Sequence, residues 1–250
     1  MLYIEGATGI SGDMTVGALL SLGSSQERLK AVLDSLKLGD EFSYVISEKA
    51  SYGIAGTDFD VILPHRHHHH EHGHHHHEHR NLADVEAVID RGEMSDRARA
   101  LAKRAFRFVA EAEAKAHGKP LGEVHFHEVG AIDSIVDIVS AAVLFDDLGE
   151  TECVVTGLTE GSGTVMCAHG ELPVPVPAVL NIAAATGVPL RVSDTKGECV
   201  TPTGIALAAA FRTREALPAA YRVKGVGIGL GKRDYGRPAI LRIMKIEAAE

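Results

Sequence analysis

The sequence has little cysteine and no long apolar run, and each scarcity excludes a class of protein. Cys153, Cys167 and Cys199 are too few and too widely spaced for a disulfide framework, so we expect free thiols in a reducing compartment. No apolar run reaches about 18 residues, and the N-terminus has neither a basic region nor a cleavage site. We therefore expect a cytoplasmic protein that does not contact the membrane.

Basic residues are also outnumbered. The 250 residues include 25 Lys and Arg against 34 Asp and Glu, a formal charge of −9, and no stripe of basic residues runs along a helical pattern. A nucleic-acid groove is therefore not expected. Hydrophobic residues make up 45% and charged residues 24% of the chain, which is typical of a globular protein with a buried core and excludes disorder or collagen.

Short helical and strand patterns alternate along the chain without a strict βαβ repeat. We predict an α+β or mixed α/β fold in which a sheet packs against several helices, with one domain over residues 1–250. The glycine-rich residues 157–170 are predicted to be a loop, and residues 65–80, which have almost no apolar side chain, a flexible inserted loop. Strands are predicted at 2–4, 42–49, 57–63, 153–156, 221–229 and 239–246, and helices at 14–22, 27–36, 82–90, 95–116, 131–148, 176–185 and 204–212.

Histidine is the residue present in excess, and 11 of the 15 histidines lie within residues 65–79. Neutral imidazole binds nickel, zinc and copper, and a flexible run supplies several ligands at once. An expression tag would be terminal and uninterrupted, whereas this tract is internal and broken by arginine, glutamate and glycine. It suits metal storage or delivery better than catalysis. The predicted ligands are His67, His68, His69, His70, His72, His74, His75, His76, His77 and His79.

The segment HFHEVGAIDSIVD, residues 125–137, predicts a more defined metal site. His125 and His127 point the same way if the segment is extended, and Glu128 precedes a helix that carries Asp133 and Asp137 one turn apart. Two imidazoles with carboxylates suit a divalent transition ion that keeps positions open for substrate. The alternative is that Asp133 complements the helix dipole and Asp137 is solvated.

Two segments place glycine and hydroxyl groups at a helix start, where backbone N–H groups receive a phosphate. They are GATGISGDM, residues 6–14, and TPTG, residues 201–204. For residues 201–204 plain N-capping is an equally good explanation, while in residues 6–14 Ser11 is a candidate N-cap and Asp13 is either a metal ligand or an ordinary helix-start acid. Residues 6–14 are neither a Walker A loop nor a dinucleotide fingerprint, because no Gly-Lys-Ser/Thr follows and the glycine spacing is wrong. The predicted binding residues are Gly9, Ser11, Gly12, Asp13, Thr201, Thr203 and Gly204.

Two further segments allow a chemical or a structural reading. Cys167 and His169 suit a soft metal or a nucleophile–base dyad. Four alternate glycines on one face of the strand over residues 225–231 allow a backbone or a ligand to approach closely, and a glycine β-bulge is the alternative.

Taken together, the segments MLYIEGATGISGDM, HFHEVGAIDSIVDIV, GSGTVMCAHGELPVPVPA, GECVTPTGIAL and the final glycine strand resemble the nickel-insertion proteins of the nickel-pincer cofactor pathway that serves lactate racemase. The resemblance covers essentially the whole chain and includes the internal histidine tract. It implies a lyase-class enzyme that inserts nickel(II) into pyridinium-3,5-bisthiocarboxylic acid mononucleotide. Nickel–carbon and nickel–sulfur bonds form, and in the family CTP is hydrolysed to CMP.

The resemblance also implies roles for the predicted residues. Nickel passes from the histidine tract to His125, His127 and Glu128, the substrate phosphate lies at one of the two glycine-rich helix starts, and His169, Asp133 or Asp137 serves as the catalytic base.

The resemblance implies partners as well. The family's C-terminal domain, which binds CTP with a divalent cation, is not found in these residues, so we expect a split-gene product or a short form that needs a partner chain. We also expect a homo-oligomer that serves apo lactate racemase or a related client. Two alternatives remain: a non-catalytic nickel chaperone or store that uses the histidine tract, and a metal-dependent hydrolase that activates water.

Overall fold

Seven helices and ten strands are formed by the residues that the computed structural model describes, which are 1–64, 80–123, 126, 132–167 and 169–249. The helices are α1 Gly12–Ser21, α2 Gln26–Ser35, α3 Leu82–Arg91, α4 Asp96–His117, α5 Ile132–Asp147, α6 Pro177–Thr186 and α7 Pro202–Phe211. The strands are β1 Leu2–Glu5, β2 Ser43–Ser51, β3 Ile54–Ile62, β4 Cys153–Val155, β5 Leu158–Ser162, β6 Thr164–Cys167, β7 Gly170–Pro173, β8 Leu190–Lys196, β9 Tyr221–Leu230 and β10 Ile240–Ala248.

The main sheet has six strands in the order β2-β3-β9-β10-β1-β4. Strand β1 pairs antiparallel with β10 and parallel with β4, while β3 meets β9 in parallel at Thr57 and Gly229. Strands β5 and β8 form a parallel pair, and β6 and β7 form an antiparallel hairpin. The predicted mixed fold, with a sheet packed against several helices, is confirmed. The predicted histidine loop lies outside the described residues.

Helix α1 lies directly on the sheet because β9 has glycines where the two meet. A Cβ on Gly227 would overlap the carbonyl oxygen of Ala18, and one on Gly229 would overlap that of Met14. Only a residue without a side chain lets a helix backbone come this close to a strand. The close approach predicted for this strand is therefore confirmed, and the group that approaches is the backbone of α1.

The remaining helices enclose the core behind α1. The hydroxyl of Ser95, the N-cap of α4, accepts a hydrogen bond from the amide of Ala98 and donates one of 2.7 Å to Asp146 at the end of α5. Phe145 of α5 stacks on Phe211 of α7 with ring centroids 4.1 Å apart, and both rings are fully buried. The helical stripes predicted from periodicity thus form one continuous apolar core.

The loop predicted for residues 157–170 is wrong. Strands β5 and β6 lie entirely within it, and β5 pairs with β8, a strand that the sequence analysis does not predict. Strand β8 has the sequence LRVSDTK and no buried residue, so it has no apolar alternation to reveal it. Glycine was read as a loop signal, whereas Gly161 lies in β5 because it packs against the backbone at Gly197.

Within the described ranges, no helix is both long enough and apolar enough to cross a membrane. Cys153, Cys167 and Cys199 are all free thiols.

Candidate functional site

The helix start of α1 is fastened to that of α7 by backbone hydrogen bonds. The amide of Ile10 donates to the carbonyl of Cys199 at 2.9 Å, and the amide of Thr201 donates to the carbonyl of Ile10 at 3.0 Å. A Cβ on Gly9, whose φ is +106°, would overlap Cys199, and one on Gly204 would overlap the carbonyl of Ile10. Gly9 and Gly204, which were predicted to bind phosphate, therefore allow the close backbone contact between these two segments.

Asp137 on α5 lies against the same helix start. Its side chain packs on Gly12, where a Cβ would lie 2.5 Å from Oδ2, and its carboxyl lies near the backbone amide of Asp13. Its Oδ1 atom is buried and has no hydrogen-bond partner among the described residues. The alternative of a solvated Asp137 is therefore wrong for this oxygen. An unpartnered buried oxygen is costly and marks a group with a function to explain.

The pKa of Asp137 lies well above its ordinary value. Burial is the largest cause, and the neighbouring carboxylates of Asp13 and Asp133 add to it. The ammonium of Lys232 and the amide of Asp13 oppose this rise without cancelling it. Asp137 therefore holds a proton up to a higher pH than an exposed aspartate does.

Asp13, which lies beside Asp137, contacts Ser11, Met14 and the half-exposed Lys232. Its Oδ1 accepts the Ser11 hydroxyl and the amide of Met14, the latter at 2.9 Å. Its Oδ2 lies 3.6 Å from Nζ of Lys232, which also contacts Oδ1 of Asp60 at 2.5 Å. Burial lowers the pKa of Lys232, but the Asp60 hydrogen bond and the nearby carboxylates raise it overall. Lys232 is thus a stable cation beside two acidic groups.

Of the other predicted residues, only Thr201 caps a helix start with its side chain. Ser11 is the N-cap residue of α1, although its hydroxyl donates to Asp13 and makes no cap bond. The Thr201 hydroxyl accepts the amide of Gly204 at 3.1 Å, and Thr203 is buried. Asp133 is exposed, and its carboxylate accepts the amide of Ser134, as an acid in a first turn does. A phosphate at either helix start stays a prediction.

His169 and Cys167 lie at the hairpin formed by β6 and β7. His169 is exposed next to β7, and its ring lies 4.9 Å from that of His117 between centroids. The Cys167 thiol donates to the carbonyl of Gly170. His125, His127, Glu128 and the histidine tract lie outside the described residues. In the part of the chain that the structure describes, no group of three His, Cys, Asp or Glu side chains is arranged to hold a metal ion.

Glu160 on β5 is a site residue that the sequence analysis missed. It is fully buried, and its Oε1 accepts the amides of Gly161, Cys199 and Val200 at 2.8, 2.6 and 2.9 Å. Its Oε2 is buried without a partner among the described residues. Burial raises its pKa more than the three amides lower it. The one signal in the sequence is an isolated acid between glycines in a short strand.

A cleft of about 400 Å³ opens beside Lys232. One wall is the end of the β2–β3 hairpin, which includes Lys49 and Tyr52, and the other is the segment 230–234. Clefts of a few hundred Å³ are the usual size of small-molecule sites. Lys232 therefore lines the cleft and also acts electrostatically on the carboxyl of Asp137.

The comparison with known families identifies the family to which the whole chain is similar. Residues 2–250 match the family described as nickel insertion protein. The chain belongs to the nickel insertion protein family. Nickel insertion, which the sequence motifs imply, is the activity in the name of this family and of its named members.

Three relatives carry the name pyridinium-3,5-bisthiocarboxylic acid mononucleotide nickel insertion protein. That of Alkaliphilus metalliredigens is 50% identical over 254 residues, that of Acetivibrio thermocellus 42% over 250, and that of Clostridium kluyveri 40% over 245. The matches cover 98%, 100% and 97% of this chain but only 60%, 61% and 61% of the relatives. The chain thus spans about three fifths of the length of these relatives. No solved structure matches it significantly.

Proposed function

We propose that the chain inserts nickel(II) into pyridinium-3,5-bisthiocarboxylic acid mononucleotide, the substrate in the names of its relatives. A pyridinium C–H bond breaks, its electron pair forms the nickel–carbon bond, and a proton leaves to a base. The two thiocarboxylate sulfurs bind the same ion. The reaction needs no oxidant, because nickel stays divalent, but it does need a group that takes the proton.

The carboxyl of Asp137 is the observation that carries this proposal. A general base works best when its pKa lies near the working pH, and the pKa of Asp137 is raised toward that range by burial. The partnerless Oδ1 is the atom that accepts the proton. Lys232 lies beside Asp13 and stabilises the deprotonated state of the two carboxyls, Asp13 and Asp137. It also lines the cleft through which the substrate approaches.

The nickel supply and the energy source complete the proposal. Nickel collected by residues 65–79 passes to His125, His127 and Glu128, where imidazole suits nickel(II). CTP with a divalent cation binds to the C-terminal portion of the family, either on the same polypeptide or on a partner chain. The loaded cofactor is delivered to apo lactate racemase or a related client in the cytoplasm, and the protein works as a homo-oligomer.

The test is nickel insertion into the purified mononucleotide, with CTP and the C-terminal portion supplied, followed by mass spectrometry of the nickel adduct. We expect D137N to lose about a hundredfold or more in rate, since a positioned base contributes about that much. D133N is the matched control, because Asp133 lies on the same helix but is exposed. H169Q and D133N test the two other predicted bases. A D137N variant as fast as the wild type, with a slow H169Q, would transfer the role to His169.

A second experiment separates the enzyme from a nickel chaperone. All histidines within residues 65–79 are replaced by serine, and nickel binding is measured by titration calorimetry. The proposal predicts lower nickel capacity with about one tighter site retained, because ordered ligands bind more strongly than a flexible run. Loss of all nickel binding, together with no insertion by the wild-type chain plus C-terminal portion, would instead favour the chaperone.

A further inference from the structure

Tyr52 stands at a position where the backbone disfavours a large side chain. Strands β2 and β3 pair up to Ser51 and Ile54, so the turn consists of Tyr52 and Gly53, whose φ angles are +50° and +81°. Two-residue turns with two positive φ angles favour asparagine followed by glycine, and a bulky residue with φ above zero is strained. The Tyr52 ring is 57% exposed, so burial does not offset the strain. Such local conflicts concentrate at functional positions.

The tyrosine hydroxyl fixes the ring at the mouth of the cleft. It donates a hydrogen bond of 2.6 Å to Asp234, and the same carboxylate oxygen accepts the amide of Gly236 at 2.8 Å. This contact bridges the hairpin turn and the segment that follows β9, which are the two walls of the cleft. The ring is therefore held in place as part of a binding wall.

The cleft contains charges of both signs. Lys49 pairs with Asp58 at 2.6 Å, and Lys232 with Asp60 at 2.5 Å, so cation and carboxylate alternate along it. Arg233 reaches Glu198 at 3.2 Å through one nitrogen. An ammonium has three donors and a guanidinium five, so these cations have more donors than the named contacts use. A ligand with both a positive centre and peripheral anions matches this pattern better than a purely anionic one.

We infer that this cleft binds a pyridinium mononucleotide, with the cationic ring stacked on Tyr52 and its anionic groups on Lys49, Lys232 and Arg233. Aromatic faces attract cationic rings, and stacking on tyrosine contributes substantially to binding. The choice of this ligand class rests on the proposed function. The position of the cleft supports this choice, because Lys232 lines the cleft and lies 3.6 Å from Asp13, whose amide lies near the carboxyl of Asp137.

The first test removes the ring without harming the turn. The ligand is nicotinic acid mononucleotide, titrated into the 250-residue chain without nickel or CTP and followed by calorimetry. Y52N creates the favoured Asn-Gly turn, so its melting temperature should not fall, yet binding should weaken about tenfold or more. Y52F keeps the ring and should bind within a few-fold of the wild type. Equal affinity of Y52N and the wild type would overturn the inference.

The second test removes the charges and has a matched control. K49M/K232M should bind the mononucleotide at least about tenfold more weakly, since two charged contacts are lost. K224M/K245M is the control: these lysines are half exposed, pair with Glu247 and Glu150 at 2.7 and 2.8 Å, and line a different cleft of about 620 Å³. Equal weakening in both double variants would show an effect of net charge alone and overturn the inference.

These binding measurements do not depend on nickel insertion. If the wild-type chain binds the mononucleotide at Tyr52 but D137N inserts nickel normally, the cleft assignment stands and the proposed base fails. If D137N is inactive but Y52N binds as the wild type does, the base stands and the cleft assignment fails.

Discussion

Asp137 and Gly12 are in direct contact, and the absence of a side chain at Gly12 makes the contact possible. A Cβ there would lie 2.5 Å from Oδ2 and 2.8 Å from Cβ of Asp137. The carboxyl can therefore reach the amide of Asp13 at the start of α1. A carboxylate at a helix N-terminus is stabilised by the helix dipole, yet burial still raises the pKa of this one. The contact with Gly12 therefore holds Asp137, a carboxyl of raised pKa, at a fixed position.

The first prediction is that G12A displaces Asp137. The added methyl group collides with an aspartate that is confined by its helix, so we expect a loss of about 1–3 kcal/mol in the free energy of unfolding and a large loss of insertion rate. Urea denaturation measures the first effect. G122A is the control, because a Cβ at Gly122 meets nothing within 4 Å. Equal stability of G12A and the wild type would contradict this contact.

The second prediction concerns pH. The pKa of Asp137 is raised above its ordinary value of 3.8, so the folded protein binds this proton more tightly than the unfolded chain does. The resulting stabilisation is fully present below the unfolded pKa and is lost as the pH rises through the folded pKa. The asparagine side chain in D137N is uncharged at every pH. The stability of this variant relative to the wild type should therefore increase as the pH rises. Urea denaturation between about pH 4 and pH 8 measures this trend.

The control for the pH prediction is D133N, in which the exposed carboxylate on the same helix is removed. D133N keeps the buried Asp137 carboxyl, so its stability should follow the pH trend of the wild type more closely than that of D137N. A flat difference between D137N and the wild type would show that Asp137 does not titrate from a buried position.

Local patterns predicted the helices and most of the main sheet. Helix α4, for example, has a serine N-cap, a long apolar stripe and a glycine end, and it runs from Asp96 to His117 as expected. The strands β9 and β10 have glycine or apolar alternation and also form as predicted. These elements have their signals within a short stretch of sequence, so no tertiary information was needed.

The site depends on contacts between distant residues, and a single sequence does not show them. Lys232 meets Asp13 only because β9 crosses α1, and Glu160 receives two of its three amides from the turn before α7. The conflict between Tyr52 and its positive φ becomes visible only once the turn that forms is known. Asp137 was among the predicted residues, but the partnerless buried oxygen that distinguishes it from Asp133 is a property of packing.

The third prediction tests how α1 is seated on the sheet. A Cβ on Gly229 would overlap the carbonyl of Met14 and lie 2.6 Å from the amide of Ala18, and neither backbone group can move alone. We expect G229A to cost about 3 kcal/mol or more of unfolding free energy. G225A is the control, since a Cβ there meets only the flexible end of Leu22 at 3.2 Å. Similar losses in both variants, measured by urea denaturation, would contradict the close seating of α1.

The fourth prediction is that Glu160 stabilises the fold by accepting hydrogen bonds and not by carrying a negative charge. E160A leaves the amides of Gly161, Cys199 and Val200 without their acceptor, at about 1–3 kcal/mol each, so a loss of at least about 3 kcal/mol is expected. E160Q keeps an oxygen for the same amides and avoids burying a charge, so it should remain close to the wild type.

The same pair of variants tests whether Glu160 acts on the candidate site. The carbonyl of Cys199 accepts the amide of Ile10, so a loosened turn at Cys199 also loosens the start of α1 against Asp137. E160A at a temperature where it is still folded should insert nickel more slowly than E160Q, and its pH–rate profile should shift to lower pH as Asp137 becomes solvated. An E160Q variant as unstable as E160A would mean that the charge itself holds the turn.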